Sequence, residues 1–231
     1  IGRDEFDIDL VCELQLPSNI SQEAAKNLVG RRLRESSVYR KRLDEKNRCW
    51  RINYAGQFHL DVLPGKPDDS RLSPSAIVVP DKELECWKPS DPKGYTTWFA
   101  EEKARSLFEQ TQGMQLEARA GVEPSPAQDT PIEKAPLQVA VQVLKRHRDV
   151  YFEGRDDAPI SILLTTLAGQ AYQGQGDILS TMEHLVATMS SHIEYEGEVA
   201  YVRNPTNRDE NFAEKWQTHP DRKRAYYEWN E

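Results

Sequence analysis

Strict alternation of apolar residues near the start of the chain is the feature that most constrains its fold. Every second residue from Phe6 to Leu14 is apolar, namely Phe6, Ile8, Leu10, Cys12 and Leu14. A period of two predicts a half-buried strand. Asp7 and Asp9 take the other face, with α-carbons roughly 6.5 to 7 Å apart from the rise per residue. A strand that buries one face would therefore direct two carboxylates the same way.

The segment "FHLDVL" shows the same alternation of apolar and polar residues about fifty residues later. Its apolar residues, Phe58, Leu60 and Val62, face one way, while His59 and Asp61 face the other. If the two strands are neighbours, three carboxylates converge, and their repulsion raises their pKa values unless a cation lies among them. Acidic residues on the wet face of an edge strand are the ordinary alternative.

A pair of Mg²⁺ ions, with Mn²⁺ as an alternative, is the natural occupant of such an acidic place. Two such ions about 3.5 to 4 Å apart share carboxylates and bridge substrate phosphates. The pattern therefore predicts a two-metal site for phosphoryl or nucleotidyl transfer, with Asp7, Asp9 and Asp61 as its ligands.

Charge and cysteine content narrow the class of protein. The 231 residues carry a net charge of -8, which argues against binding of duplex nucleic acid. Three widely separated cysteines without a CxxC pair indicate a reduced, cytoplasmic setting. There is no apolar run of about 18 residues and no secretory pattern, so we expect no membrane association.

Local patterns predict a mixed first half. Helix formers at Gln22–Glu35 follow Ser21, a candidate N-cap. "RCWRINYAG" and "QFHLDVLPG" read as neighbouring strands that stop at Pro64-Gly65, and "AIVVP" as a further strand. "KPSDPKGYT" reads as a loop before a helix from about residue 98 to 118.

The second half is predicted to be helical. "GVEPSPAQDTPIEKAP", residues 121–136, has four prolines and reads as a linker. Apolar residues at helical spacing predict helices from Leu137, from about Ile160, and from Asp177 to about Ile193. We therefore expect an α+β protein with a catalytic core at 1–120, a linker at 121–136, a helical lobe at 137–231 and a ligand cleft between the lobes.

The order "DEFDIDLVCEL" then "FHLDVLPG" resembles the polymerase-beta-like nucleotidyltransferases, whose acidic strands read h-[DE]-h-[DE]-h and then h-[DE]-h. With "SDPKGYTTWF", "LKRHRD" and "NPTNRDENFAEKW", the chain is more narrowly similar to the bacterial CD-NTases, relatives of cyclic GMP-AMP synthase. The resemblance implies a Mg²⁺-dependent enzyme that joins nucleoside triphosphates, with ATP expected, into a cyclic second messenger. Its implied setting is CBASS anti-phage defence, with a nucleotide-activated effector and regulatory proteins as partners.

The family pattern assigns roles to individual residues. Asp7, Asp9 and Asp61 would be catalytic metal ligands, and Lys145 and Ser161 would hold the triphosphate. For Lys145 the alternative is a solvated helix charge, and for Ser161 a capping hydroxyl.

Further residues carry weaker assignments. His59 would touch the nucleotide, or else support the site from behind or be merely exposed. Tyr95 would stack on a base. Asn204, Glu210 and Asn211 read first as braces of the helical lobe and only second as ligand-binding groups.

The resemblance also leaves alternatives of function open. The same acidic triad would serve transfer to a protein, an RNA or a small molecule, or linear oligoadenylate synthesis, and a nucleotide sensor without catalysis is the alternative from another class. The family's N-terminal helix and Gly-Ser loop are missing from the sequence, which starts at Ile1. We expect them upstream in the full protein, because a chain without that loop should be inactive.

Overall fold

The computed structural model describes residues 6–17, 19–54, 58–70, 73–81, 85–103 and 134–231, and the side chains of these except at positions 6–8 and 58. The chain divides into two compact units, Ile1–Gly94 and Tyr95–Glu231. We call them the sheet unit and the helical unit. Together they give an α+β chain, as the sequence predicts.

A mixed six-stranded sheet forms the sheet unit, in the order β2-β3-β4-β5-β6 with β1 paired to β4. The two strands that carry the predicted carboxylates, β1 and β4, are therefore neighbours. They pair in parallel, whereas the other described pairs of this sheet are antiparallel. The strands are β1 (Phe6–Glu13), β2 (Leu43–Glu45), β3 (Trp50–Tyr54), β4 (Phe58–Pro67), β5 (Ile77–Asp81) and β6 (Cys86–Ser90).

Helix α1 (Gln22–Glu35) has the predicted bounds, and the Ser21 hydroxyl accepts a hydrogen bond from the Ala24 amide at 3.2 Å. Apolar side chains of the helix and sheet form one core, centred on Val29, Trp50, Ile52 and Val62. The period-two pattern of β3 and β4 thus buries one face of the sheet and leaves the other for polar residues.

Strand β4 does not stop at Pro64-Gly65, contrary to the prediction. It continues to Pro67, pairing with β3 along its first part and with β5 at its end. The β3 ladder has ended at Val62, so the missing amide hydrogen of Pro64 removes no bond on that side.

The predicted loop "KPSDPKGYT" is also wrong. Its first residues belong to β6, and residues 92–103 form helix α2. Asp91 accepts the Gly94 amide hydrogen at 2.9 Å, and Pro92 takes the first helical position, where its fixed φ suits a helix. The Asp-Pro pair is therefore a helix start.

Four more helices belong to the helical unit: α3 (Pro136–Tyr151), α4 (Ser161–Ala171), α5 (Ile178–Thr188) and α6 (Pro220–Asn230). The three predicted helices are confirmed as α3, α4 and α5, with Asp177 as N-cap of α5. Two small antiparallel pairs that the sequence did not reveal follow α5: β7 (Glu194–Glu196) with β8 (Val199–Tyr201), and β9 (Arg203–Asn204) with β10 (Asn207–Asn211).

The predicted linker at 121–136 lies outside the described residues except for 134–136. A domain boundary there stays a prediction, as do the boundaries of the lobes at 1–120 and 137–231. None of the helices that the structure describes has the length and apolarity needed to cross a bilayer.

Candidate active site

Four charged residues lie side by side on the polar face of the sheet. The α-carbon register pairs Asp9 of β1 with Asp61 of β4, Asp61 with Arg51 of β3, and Arg51 with Asp44 of β2. Residues in register on neighbouring strands present their side chains to the same face. We call Asp9, Asp61, Arg51 and Asp44 the charged row.

Asp61 is the best-anchored carboxylate of the row, with only 15% of its side chain exposed. Arg51 donates to both of its oxygens, from Nε to Oδ1 at 2.8 Å and from Nη2 to Oδ2 at 2.7 Å. Burial opposes ionisation, but the hydrogen bonds and charge of Arg51 outweigh it, and the pKa of Asp61 is lowered. Asp61 is therefore an anion at neutral pH.

The thiol of Cys49 lies close enough to Asp61 for the two groups to influence each other's ionisation. Burial, and then the neighbouring charge of Asp61, raise the pKa of Cys49 to about 12. The thiol is thus protonated and a poor nucleophile, since reactivity requires the thiolate.

The other predicted ligands share strand β1. Asp9 is exposed and in register with Asp61, and Asp7 lies one residue pair further along, opposite His59. The side chain of Asp7 lies outside the described part of the structure. Neighbouring strands thus bring Asp9 and Asp61 together as predicted, while the nucleotide contact assigned to half-buried His59 stays a prediction.

A buried brace holds the turn from which β3 starts. Lys26 is 1% exposed, and its ammonium donates to the Asn47 carbonyl oxygen at 3.1 Å and lies 3.3 Å from Glu45 Oε1. Asp81, also 1% exposed, accepts from Asn47 Nδ2 at 3.0 Å and from Arg48 Nε at 2.9 Å. Sequence analysis missed this brace, whose only signal was a lysine on the apolar side of α1.

The donor set suits Mg²⁺. Carboxylate oxygens are the ligands that this ion prefers, and Asp61 is already ionised. Among the described side chains there is no group of three or more His, Cys, Asp or Glu that could hold a metal. Asp9 and Asp61 are the described part of the predicted triad, of which Asp7 is the third member.

Both predicted phosphate ligands, Lys145 and Ser161, are in the helical unit. Arg148 on α3 donates from Nη1 to the Ser161 hydroxyl at 2.8 Å and to the Pro159 carbonyl oxygen at 3.1 Å. Lys145 is one turn earlier on the same helix, and burial, then the charge of Arg148, lowers its pKa. Ser161 is the first residue of α4, where backbone N–H groups favour anions. Their triphosphate roles stay predictions.

Tyr95 is packed within the helical unit. Its hydroxyl lies 2.9 Å from Thr166 Oγ1, and its ring lies 5.2 Å from that of Trp98 and 6.0 Å from that of Phe212. Burial raises the pKa of Tyr95 to about 12. Stacking on a base stays a prediction for this residue.

Asn211 has the bracing contacts expected of the "NPTNRDENFAEKW" segment. Its Oδ1 accepts from the amides of Val202 at 3.0 Å and Ala213 at 2.9 Å, and its Nδ2 donates to the Ala200 carbonyl oxygen at 3.1 Å. Asn204 similarly donates to Glu210 at 2.8 Å. The segment ties β8, β9 and β10 together.

Comparison with known proteins shows a family match for the segment that contains the charged row. Residues 2–64 match the family described as "Cyclic GMP-AMP synthase DncV-like, nucleotidyltransferase domain". A c-di-GMP synthase of Roseivirga ehrenbergii is 38% identical over 230 residues, which cover 95% of this chain and 58% of that protein. Residues 2–64 of the chain thus carry the nucleotidyltransferase domain of the DncV-like CD-NTases.

Two further comparisons agree with this match. The cyclic dinucleotide synthase CdnG of Bradyrhizobium diazoefficiens is 26% identical over 231 residues, covering 92% of this chain and 54% of that protein. The solved structure of the CD-NTase CdnG in complex with GTP matches 98% of this chain and 71% of that chain, with a TM-score of 0.70 and 22% identity. The second match shows that this chain has the CD-NTase fold.

The chain spans little more than half the length of the two curated relatives. The matched family segment includes all four residues of the charged row, Asp9, Asp44, Arg51 and Asp61, together with Asp7.

Proposed function

We propose that this protein is a CD-NTase, a metal-dependent nucleotidyltransferase that makes a cyclic dinucleotide from nucleoside triphosphates. The single observation that carries the proposal is the register of Asp9 with Asp61 on parallel neighbouring strands, with Asp61 held as an anion by Arg51. The names of the two curated relatives, both cyclic dinucleotide synthases, support the nature of the product.

In this proposal Asp7, Asp9 and Asp61 hold two Mg²⁺ ions, or Mn²⁺ in their place. When bound, these ions would lower the pKa of an attacking ribose hydroxyl and neutralise the leaving pyrophosphate. Asp61 needs to lose no proton to act as a ligand, because Arg51 outweighs the burial that would otherwise favour its protonated form. Asp9, being exposed, is open to substrate from the polar face of the sheet.

Triphosphate binding is assigned to the helical unit. Lys145 and Ser161 would contact phosphate oxygens, with the ammonium supplying charge and the start of α4 supplying N–H donors. The Arg148 hydrogen bond fixes the Ser161 hydroxyl next to the same helix start. Two ribose attacks on α-phosphates, each releasing pyrophosphate, would close the ring.

Guanine is the base that we propose first. The sequence resemblance favours ATP, whereas the 38% identical relative is named a c-di-GMP synthase. We therefore propose GTP as a substrate and retain ATP as the competitor.

The test incubates the full-length protein with labelled GTP, labelled ATP or both, together with Mg²⁺. We expect a small labelled product that resists phosphatase and whose formation stops when the metal is chelated. Label that appears only on a protein or an RNA would contradict cyclisation, and a linear phosphatase-sensitive product would favour oligonucleotide synthesis without ring closure.

Asp61→Asn tests the site itself. It removes one carboxylate charge at constant size. Loss of a residue that only supports a metal ligand can reduce activity by roughly 100-fold, so we expect loss of the ligand itself to reduce turnover by at least that much. Asp69→Asn, which removes the same charge from an exposed turn after β4, should leave turnover unchanged. Equal turnover in the wild type and Asp61→Asn would refute the metal site, and no turnover in either protein would leave a nucleotide sensor as the better function.

The biological setting of the product is part of the same proposal. We propose that the product activates a nucleotide-dependent effector in anti-phage defence, and that regulatory proteins control the synthase in the cytoplasm. Loss of phage resistance in cells that carry Asp61→Asn, at equal protein abundance, is the expected result.

A further inference from the structure

We infer that Arg51 is a positioning residue that holds the Asp61 carboxylate in the orientation needed for metal binding. The inference rests on the proposed function, because it concerns the same metal site. Sequence analysis assigned no role to Arg51, which sits on β3, a strand that carries none of the predicted ligands.

The geometry between Arg51 and Asp61 is that of a fork. Two different guanidinium nitrogens donate to the two different carboxylate oxygens, at 2.8 and 2.7 Å. Both residues are in register on antiparallel strands, so the fork is short and starts from rigid backbone on each side. A paired fork fixes the plane of a carboxylate, which a single point charge does not.

Asp61 keeps acceptor capacity on the side away from the fork. An ionised carboxylate has about four lone-pair positions, and the fork uses one on each oxygen. A metal ligand that is itself hydrogen-bonded in this way is the usual arrangement around bound ions.

Because Asp61 is largely buried, its orientation by Arg51 matters for metal binding. The Asp61 side chain is 15% exposed and the Arg51 side chain 28%, whereas Asp9 is exposed on the neighbouring strand. The carboxylate of Asp61 is therefore set in a fixed direction by Arg51. Without Arg51 the buried Asp61 would lose both its counter-charge and its orientation.

A second arginine–aspartate pair in the same unit provides a matched control. Arg48 Nε donates to Asp81 Oδ2 at 2.9 Å, and Arg48 Nη2 lies 2.8 Å from the same oxygen. Asn47 donates to the other oxygen, Oδ1. Asp81 belongs to β5 and has no place in the charged row. Arg48→Gln thus removes the same group from the same unit without touching Asp61.

The experiment measures Mn²⁺ binding to the full-length protein by the electron paramagnetic resonance signal of the free ion, so that it needs no turnover. Its variants are Arg51→Lys, Arg51→Gln, Arg48→Gln and Asp61→Asn, and thermal unfolding of each reports folding. Lys keeps the charge and loses the fork, whereas Gln loses both. We expect each Arg51 variant to raise the Kd for Mn²⁺ by about 10-fold or more, with Arg48→Gln at the wild-type value.

Each outcome separates the inference from the function on which it rests. Equal Mn²⁺ binding by the wild type and Asp61→Asn would overturn the metal site and the inference with it. If Asp61→Asn weakens binding but Arg51→Gln binds as tightly as the wild type, or more tightly, Arg51 is a counter-ion that metal displaces and only the inference fails. If Arg48→Gln weakens binding as much as Arg51→Gln, the effect is general loosening of the sheet, which also overturns it. If Arg51→Gln does not fold, Arg51→Lys decides.

Discussion

Gly30→Ala should destabilise the sheet unit, although alanine is the better helix former. Gly30 lies in α1 with its α-carbon against the Trp50 indole, and an added Cβ would overlap two ring carbons and approach Nε1 to 2.8 Å. The ring cannot easily retreat, because Trp50 is 2% exposed and its Nε1 donates to the Lys26 carbonyl oxygen at 2.8 Å.

The magnitude follows from two opposed effects. Overpacking a filled core costs about 1 to 3 kcal/mol, and so close a contact with a fixed ring places this case near the upper end. Replacing glycine inside a helix returns about 1 kcal/mol. We therefore expect a net loss of about 2 kcal/mol in the free energy of unfolding of the sheet unit.

Hydrogen exchange of β3 amides measures this loss where it occurs, since tryptophans in both units would blur a fluorescence signal. Asn27→Ala is the control, an exposed position on the same helix where only propensity changes, and it should stabilise by about 0.5 kcal/mol. Because Arg51 follows Trp50 on the opposite face of β3, Gly30→Ala should also reduce turnover. Equal or slower exchange in Gly30→Ala than in the wild type would refute the packing argument.

Three further predictions concern other parts of the chain. Asp91→Ala removes the cap of α2 and should cost about 1 kcal/mol, seen as faster exchange of the Gly94 amide; unchanged exchange would mean that the cap contributes nothing. Hydrogen bonds from Ser180 lower the pKa of Asp177, so its capping of α5 is complete above about pH 4 and is lost as the pH falls through the lowered pKa. Asp177→Asn should remove this acid dependence from the amide exchange of α5. An acid dependence that persists in the variant would point to another group. Cys49, with its pKa raised to about 12, should react with iodoacetamide at pH 8 far more slowly than a free thiol, and rapid alkylation of the folded protein would contradict its buried contact with Asp61.

Local sequence was sufficient wherever one periodicity governed a whole segment. Helix α1 begins and ends at the predicted residues, because Ser21 caps it and helix formers fill it. The β3–β4 hairpin was likewise readable, since it buries one face and exposes the other. In β1, by contrast, Leu10 was expected on the buried face and is 51% exposed. The acidic positions Asp7, Asp9 and Asp61 stood out for the same reason.

Local sequence misled where one residue type serves two purposes. Pro64 reads as a stop, yet β4 continues, because the β3 ladder has ended at Val62 while the parallel pairing with β1 runs on to Gly65. Asp91 and Pro92 read as a turn, yet the same pair caps and starts a helix. In both cases the outcome depends on which hydrogen-bond partners the nearby backbone groups have in the folded protein.

What the sequence by itself determined is the chemistry available: carboxylates at alternate positions of apolar strands, within an α+β chain. What only the tertiary structure decided is which side chains meet. Arg51 and Asp61 are 10 residues apart, and Asp9 and Asp61 meet because β1 pairs in parallel with β4. Strand order and register arise from burial of apolar side chains of several strands against α1, a property that no single segment contains.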